Sequence, residues 1–367
     1  AKEDCLANQL QTMSIEMPEA IGYHVINQQM LESSTEQLTE TDTDKSAEQL
    51  PYSPARFTGC IERDWWLSSY TALNRNLRHV GISSPERDSE EVVLTQQVNE
   101  LIVESAVVQF MLARGANVGN FLHDIMENLD FTQPDWEDAL FWPMKKFGRF
   151  IGTVEHKQII SWLEKIIHDT LTPLPDLTLS TLSSSRLFKE IEFYFPMKSA
   201  NTKAITHLLS KHREANRPYD INQATHVSLP SLKHLKGMMH GFIDLIFEYE
   251  GKFYVCDYKS NFLGSDIKLY QPNLLREDIE LHNYDLQYLI YSLALHRYLK
   301  LNVNDYNVSE HFGGVYYLYL RGMGHVNAPK GSGVYFRSID EATLNALDKI
   351  FDGNVLDYRR VESPCQN

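Results

Sequence analysis

Cysteine is scarce in this chain: Cys5, Cys60, Cys256 and Cys365 are scattered through 367 residues, and no CxxC occurs. That suggests neither a disulfide framework nor a zinc or iron–sulfur ligand set, and fits free thiols in a reducing compartment. No apolar run reaches about 18 residues, and the N-terminus has no signal-peptide pattern, so neither a membrane span nor a secretory leader is expected. A cytoplasmic location without a membrane partner is the expectation. There is no GxxxxGK[ST] loop to cradle a nucleotide, and HExxH and GxSxG are absent too. The 14 histidines form no dense cluster with cysteine, which argues against a zinc enzyme. Positive charge is also in deficit, 34 Lys and Arg against 49 Asp and Glu for a formal charge of -15. This balance speaks weakly against a nucleic-acid ligand, because a local basic groove can exist on an acidic molecule.

The composition that is present, 43% apolar, supports a sizeable core in one large domain or two ordinary ones. Residues 1–55 are polar and acidic with almost no apolar periodicity and read as a flexible linker. The chain starts at Ala1 rather than Met, as a fragment of a longer protein would. Residues 56–95 read as a docking segment, aromatic over 57–70 and loop-like over 83–89, and the main folded domain is expected over 96–367.

Within that domain, apolar spacing predicts helices over 90–112, from Asn117 onward, over 134–147, 154–171, 202–216, 283–299 and 341–351. Strands are expected over 187–195, 241–247, 253–259, 313–320 and 333–336. Residues 260–282 read as a long loop of the kind that serves as a lid. Lys203, Lys211, His212, Arg213 and Arg217 give the region of the 202–216 helix a basic character, for which a solvated face is the ordinary explanation and phosphate contact the functional one. The same choice applies to His296, Arg297 and Lys300, which suit a helix C-terminus.

The centre of the chain is the pair of apolar runs flanking Glu250-Gly251, a hairpin signature. With those two residues as the loop, Tyr249 pairs with Lys252, and the register carried outward sets Asp244 opposite Asp257. Directly opposed residues have Cβ atoms roughly 4.5 to 5.5 Å apart, so two carboxylates there repel unless a cation lies between them. Lys259, two residues beyond Asp257, shares its strand face. Scattered charges on a surface hairpin are the plainer reading, but Asp257 and Lys259 interrupt an otherwise apolar strand, where uncompensated charge is costly. An Asp, Asp-x-Lys set suits metal-assisted phosphodiester hydrolysis: hard oxygens hold Mg²⁺, and the lysine orients water or offsets developing charge. Glu190 and Glu192 alternate onto one face of the preceding strand, and both are open as further acids. His123 and Glu127 share a helix face, although a helical His is more often structural than a ligand. Gln287 and Tyr291, at i and i+4, can reach one common neighbour.

The segments 239–247 (MHGFIDLIF), 254–261 (YVCDYKSN), 284–299 (YDLQYLIYSLALHRYL) and 311–318 (HFGGVYYL) resemble, in this order, the C-terminal nuclease domain of the RecB family. The resemblance runs from about Phe57 to about Gly353. It implies an α/β PD-(D/E)xK (restriction-endonuclease-like) core, a mixed central sheet flanked by helices with acidic residues at its edge. It further implies Asp244 and Asp257 as metal ligands and Lys259 as the catalytic lysine. The backbone carbonyl of Tyr258 would complete the shell, and His123 of Gly119-x-Phe121-x-His123 would be a ligand from an early helix. Glu190 is favoured over Glu192 on the same ground, with Gln287 and Tyr291 as the QxxxY element supporting the site and approaching DNA. The implied cofactor is Mg²⁺, with Mn²⁺ or Ca²⁺ able to occupy the site. The implied activity is hydrolysis of DNA, chiefly a single strand fed by a helicase motor, in double-strand-break repair and degradation of linear DNA. The implied partners are DNA, the RecC and RecD subunits and the recombinase RecA; the alternative is a docking module for RecC or RecA with nuclease activity secondary or absent.

Overall fold

The computed structural model describes residues 66–74, 107–215 and 235–353. The expected linker over 1–55, most of the helix expected over 90–112, Arg217 and the break expected at Ser228-Leu229-Pro230 lie outside the described residues. The described elements run β1 (Trp66–Ser68), α1 (Tyr70–Asn74), α2 (Val108–Met111), α3 (Ala116–Asn128), α4 (Trp136–Phe147), α5 (His156–His168), β2 (Leu187–Ala200) and α6 (Thr202–Glu214). Then follow β3 (Leu235–Tyr249), β4 (Lys252–Lys259), α7 (Pro272–His282), α8 (Tyr284–Asn302), α9 (Val308–His311), β5 (Phe312–Tyr319), β6 (Val334–Arg337) and α10 (Glu341–Phe351).

β3 organises a mixed six-stranded sheet. Along one edge it pairs antiparallel with β2, from Leu187↔Phe247 to Ala200↔Leu235. Its other edge is divided: β4 takes the C-terminal end, Leu245↔Cys256 to Tyr249↔Lys252, and β1 runs parallel beside Gly237–Met239. β4 continues the sheet in parallel with β5, which pairs antiparallel with β6. Between β1 and β4, no described strand takes up residues 240–244 on that edge, and Asp244 ends this gap.

Two helical layers cover the sheet. The first core packs α1, α6, α7, α8 and α10 against Met239, Ile243, Val255, Tyr317 and Tyr319. The second packs α3, α4 and α5 against Leu245, Phe247, Cys256, Tyr258, Tyr316 and Leu318. α8 is buried nearly all round, Asp285, Gln287 and Ser292 included, as a helix wedged between a sheet and its neighbours must be.

Several boundaries and roles differ from the sequence reading. α3 starts at Ala116, one residue before the expected Asn117 cap, because Gly115 at φ 107° turns the chain into it. The expected lid over 260–282 is folded, with a 3₁₀ turn at Ile267–Tyr270 and then α7, which Pro272 opens and whose Leu275 and Ile279 enter the first core. Only Leu275 and Ile279 of the four Leu and Ile residues in this charged eleven-residue segment are buried, a weak periodic signal, and tertiary packing supplied the rest. Two of the basic residues considered for phosphate contact are interior. His212 Nε2 lies 2.8 Å from the Tyr288 hydroxyl, and Arg213 donates to Asp285 Oδ1 at 2.7 Å, tying α6 to α8. At the end of α8, Arg297 binds Asp348 and Asp352 around α10, and His296 Nδ1 meets the Tyr306 hydroxyl at 3.1 Å.

Candidate metal centre

Strand alternation should keep each parity of β2 and β3 on one face throughout. It does not. Ile191, Phe193, Phe195, Met239 and Ile243 pack on the first core, whereas Leu187, Leu245 and Phe247 pack on the second, so both strands exchange faces at the same level. The pairs Lys189↔Leu245 and Ile191↔Ile243 stand on either side of that level, and the step between them is Glu190 opposite Asp244. Glu190 has φ 48°, a left-handed backbone that a glutamate adopts at a cost of about 1–2 kcal/mol. Glu190 and Glu192 were expected to share a face. Instead Glu190 turns into a cluster, while Glu192 points to solvent, accepting from the Tyr194 hydroxyl at 2.7 Å and lying 3.0 Å from His240 Nε2.

The cluster is His123, Glu190 and Asp244, one from α3 and one from each strand, with a ligand atom from each all within 4.8 Å of one another. α3 is set close by burying Val118, Phe121, Leu122, Ile125 and Met126 in the second core. Gly119, one turn before His123, allows this: a Cβ there would lie 3.1 Å from Ser260 Oγ, just beyond the end of β4. His123 Nδ1 stands 3.4 Å from Asp244 Oδ2, and its ring meets Tyr258 edge-on at 5.9 Å. Burial disfavours a charge on His123, but the charge and hydrogen bond of Asp244, helped by the charge of Asp257, outweigh it and raise its pKa to about 9; Lys259 opposes them. A field that draws a proton so strongly also draws a cation. The donor set of one imidazole and two carboxylates fits a divalent metal ion.

The hairpin register is the one read from the sequence, but its ladder ends at Leu245↔Cys256, one step before the aspartates. Asp244 instead accepts from the Tyr258 backbone N–H at 2.8 Å, which holds the end of β4 to β3 beyond the ladder. Asp257 is outside the three-residue cluster and is 2% exposed. Its Oδ2 lies 2.9 Å from Lys259 Nζ, which also donates to Gln287 Oε1 at 3.1 Å and sits 4.1 Å over the Tyr284 ring. Gln287 is fixed from both ends: its Oε1 accepts from the Tyr317 hydroxyl at 2.8 Å and its Nε2 donates to the Tyr291 hydroxyl at 3.1 Å. Gln287 and Tyr291 are both buried, so they brace Lys259 from below.

Three supporting features escaped sequence reasoning. Tyr317, on β5, completes the Gln287 amide. Asp278 of α7 accepts from Asn261 at 3.0 Å and from the Tyr319 hydroxyl at 2.8 Å, anchoring the chain that leaves β4. Arg321, 1% exposed, donates to the carbonyls of Ser260, Gln109, Leu112 and Ala113 and so binds the end of β4 to α2. A lone arginine after an apolar strand was the only trace of this clamp in the sequence, and it looks like any strand-ending charge.

A mixed sheet between two helical layers, with acidic residues gathered where its central strands part, is the architecture of a PD-(D/E)xK-like nuclease core. No protein-family model matches the chain. Among curated proteins it is similar to the RecBCD enzyme subunit RecB of Escherichia coli, 33% identical over 301 residues, which cover 80% of this chain and 24% of that protein. RecB of Haemophilus influenzae is 31% identical over 82% of this chain and 24% of its own length. RecB of Mycolicibacterium smegmatis is 28% identical over 81% of this chain and 30% of its own length. The chain is a RecB homologue, and its matched region, about a quarter of the first two relatives' length, is consistent with their C-terminal nuclease-like part.

Proposed function

We propose that this region is a Mg²⁺-dependent deoxyribonuclease acting on single-stranded DNA within a RecBCD-type helicase-nuclease. Its setting would be cytoplasmic double-strand-break repair by recombination and degradation of linear DNA, with RecC, RecD and RecA as partners. The observation that carries the reading is the convergence of His123, Glu190 and Asp244 from three elements, beside a buried Asp257–Lys259 pair. His123, Asp244 and Asp257 would hold the metal with the Tyr258 carbonyl, and Glu190 would join them; Mn²⁺ or Ca²⁺ suits the same oxygen-rich set. A bound divalent ion supplies positive charge for phosphate oxygens and lowers the pKa of a bound water.

The chain's own groups do the rest. Lys259 is held by Asp257 and Gln287 in one orientation, so its ammonium group is ready to orient or polarise the attacking water and to offset charge developing on the phosphate. Gln287 and Tyr291 act through Lys259 as positioning residues. The test is Mg²⁺-dependent cleavage of single-stranded DNA by this chain, compared with Asp257→Ala and Lys259→Ala. Each variant should lose at least about a hundredfold in rate. Wild-type rates in both would overturn the assignment.

A further inference from the structure

Beyond the face exchange at Glu190 and Asp244, the described residues cover the N-terminal half of β3 and its partner β2 with a helical layer on one side only. Odd-numbered residues pack on the first core, while Glu192, Tyr194, Pro196 and Lys198 of β2 are exposed and Lys236, Met238, His240 and Phe242 of β3 are half-buried on the opposite face. That face carries rings in a row. Tyr194, 53% exposed, stacks on His240 with centroids 4.5 Å apart and an interplanar angle of 20°. His240 meets Phe242 at 5.3 Å and 76°. Cross-strand pairing orders the row from the metal cluster outward: Glu192↔Phe242, Tyr194↔His240, Pro196↔Met238, with Lys198 and Lys236 at the next outward-facing positions. Gly241 keeps the other side of this strip closed, since a Cβ there would fall 2.8 Å from the Phe193 ring packed beneath it.

We propose that this strip is a binding track for single-stranded nucleic acid, leading into the metal centre. The inference rests on the nuclease reading and adds the place where the strand lies. Flat rings with free faces stack on nucleobases of any sequence, and a base already paired and stacked in a duplex has no free face to offer. Lys198 and Lys236, at the far end, supply positive charge for phosphates about 27 Å from Asp244, eight strand residues at about 3.4 Å each. The one negative group in the row, Glu192, is engaged by Tyr194 and His240 and sets their ring orientations.

Binding of a fluorescent thymidine oligonucleotide of about 12 nucleotides, measured by anisotropy in EDTA, tests the track without hydrolysis. Tyr194→Leu and Phe242→Leu should each weaken binding about tenfold, as loss of one stacked base does, and Lys198→Gln should lower the dependence of log affinity on log salt by about 0.7. A duplex of the same length should compete poorly. A 5-iodouracil oligonucleotide photocrosslinked to the wild-type chain should mark Tyr194 or Phe242, a readout that needs no variant to fold. Wild-type affinity in both ring variants, crosslinks confined to other elements, or equal affinity for duplex would overturn the track and leave the face to a protein partner. A chain that binds through these rings but never cleaves would sink only the nuclease reading. One that cleaves while both ring variants bind normally would sink only the track.

Discussion

The two halves of β3 have the same neighbour, β2, and opposite surroundings. From Leu245 onward the strand lies between two helical layers, and β4 occupies its second edge. Among the described residues, the stretch from Leu235 to Ile243 has one helical layer, a second face with no helix packed on it and only the short β1 beside part of that edge. The candidate centre sits at the join. An acidic cluster inside the covered half would carry the full cost of buried charge, and one in the open half would be dispersed by water. At the join, Asp244 and Glu190 are half-buried: dry enough for a strong local field, and open enough for a substrate.

Breaking the covered half should have the largest effect on stability. Arg321→Ala removes a buried guanidinium from four carbonyls and should cost about 3–5 kcal/mol in chemical unfolding, comparable to splitting a buried ion pair. If the loss is below about 1 kcal/mol, the clamp does not hold β4 to α2. A smaller effect is written in pH. Burial, with the charges of Arg337 and Arg213 against a partial pull from Asp340, pushes the pKa of His212 from 6.5 down to about 4. Its ring is neutral in the folded state, so below pH about 6.5 the unfolded chain gains a proton that the folded chain lacks. Stability should fall as the pH drops from about 6.5 to about 4, by up to about 3 kcal/mol, and His212→Gln should show that much less decline. Equal slopes in the two proteins would remove His212 from the account.

The smallest effect sharpens the join itself. Glu190→Gly keeps the left-handed backbone without strain and should raise stability by about 1 kcal/mol while weakening divalent-ion binding. A loss of stability in thermal unfolding would mean that the carboxylate earns its place by packing.

Much of this arrangement was legible in the residues. The hairpin register follows from counting outward from Glu250-Gly251, and α10 occupies the residues its periodicity marked. The coupling of Gln287 and Tyr291 follows from i, i+4 spacing, since one helix supplies both partners. What could not be read was the switch of faces. A period-two pattern assigns Glu190 and Glu192 to one side, and only the φ 48° backbone, imposed by the crossing of two cores over one strand, separates them. Arg321 and Asp278 were hidden for a related reason: their partners are backbone carbonyls and side chains more than a dozen residues away, which leave no local spacing to detect. His123 stood out only through its resemblance to a family pattern, because a single histidine on an amphipathic helix carries no signal of its own.

The most direct test is Mn²⁺ binding followed by electron paramagnetic resonance on the chain without DNA, comparing wild type with Glu190→Gln and Glu192→Gln. A centre at the join predicts a bound ion in the wild type, affinity reduced at least about tenfold in Glu190→Gln, in line with loss of a metal-supporting group, and no change in Glu192→Gln. Wild-type affinity in Glu190→Gln, or a loss confined to Glu192→Gln, would contradict it.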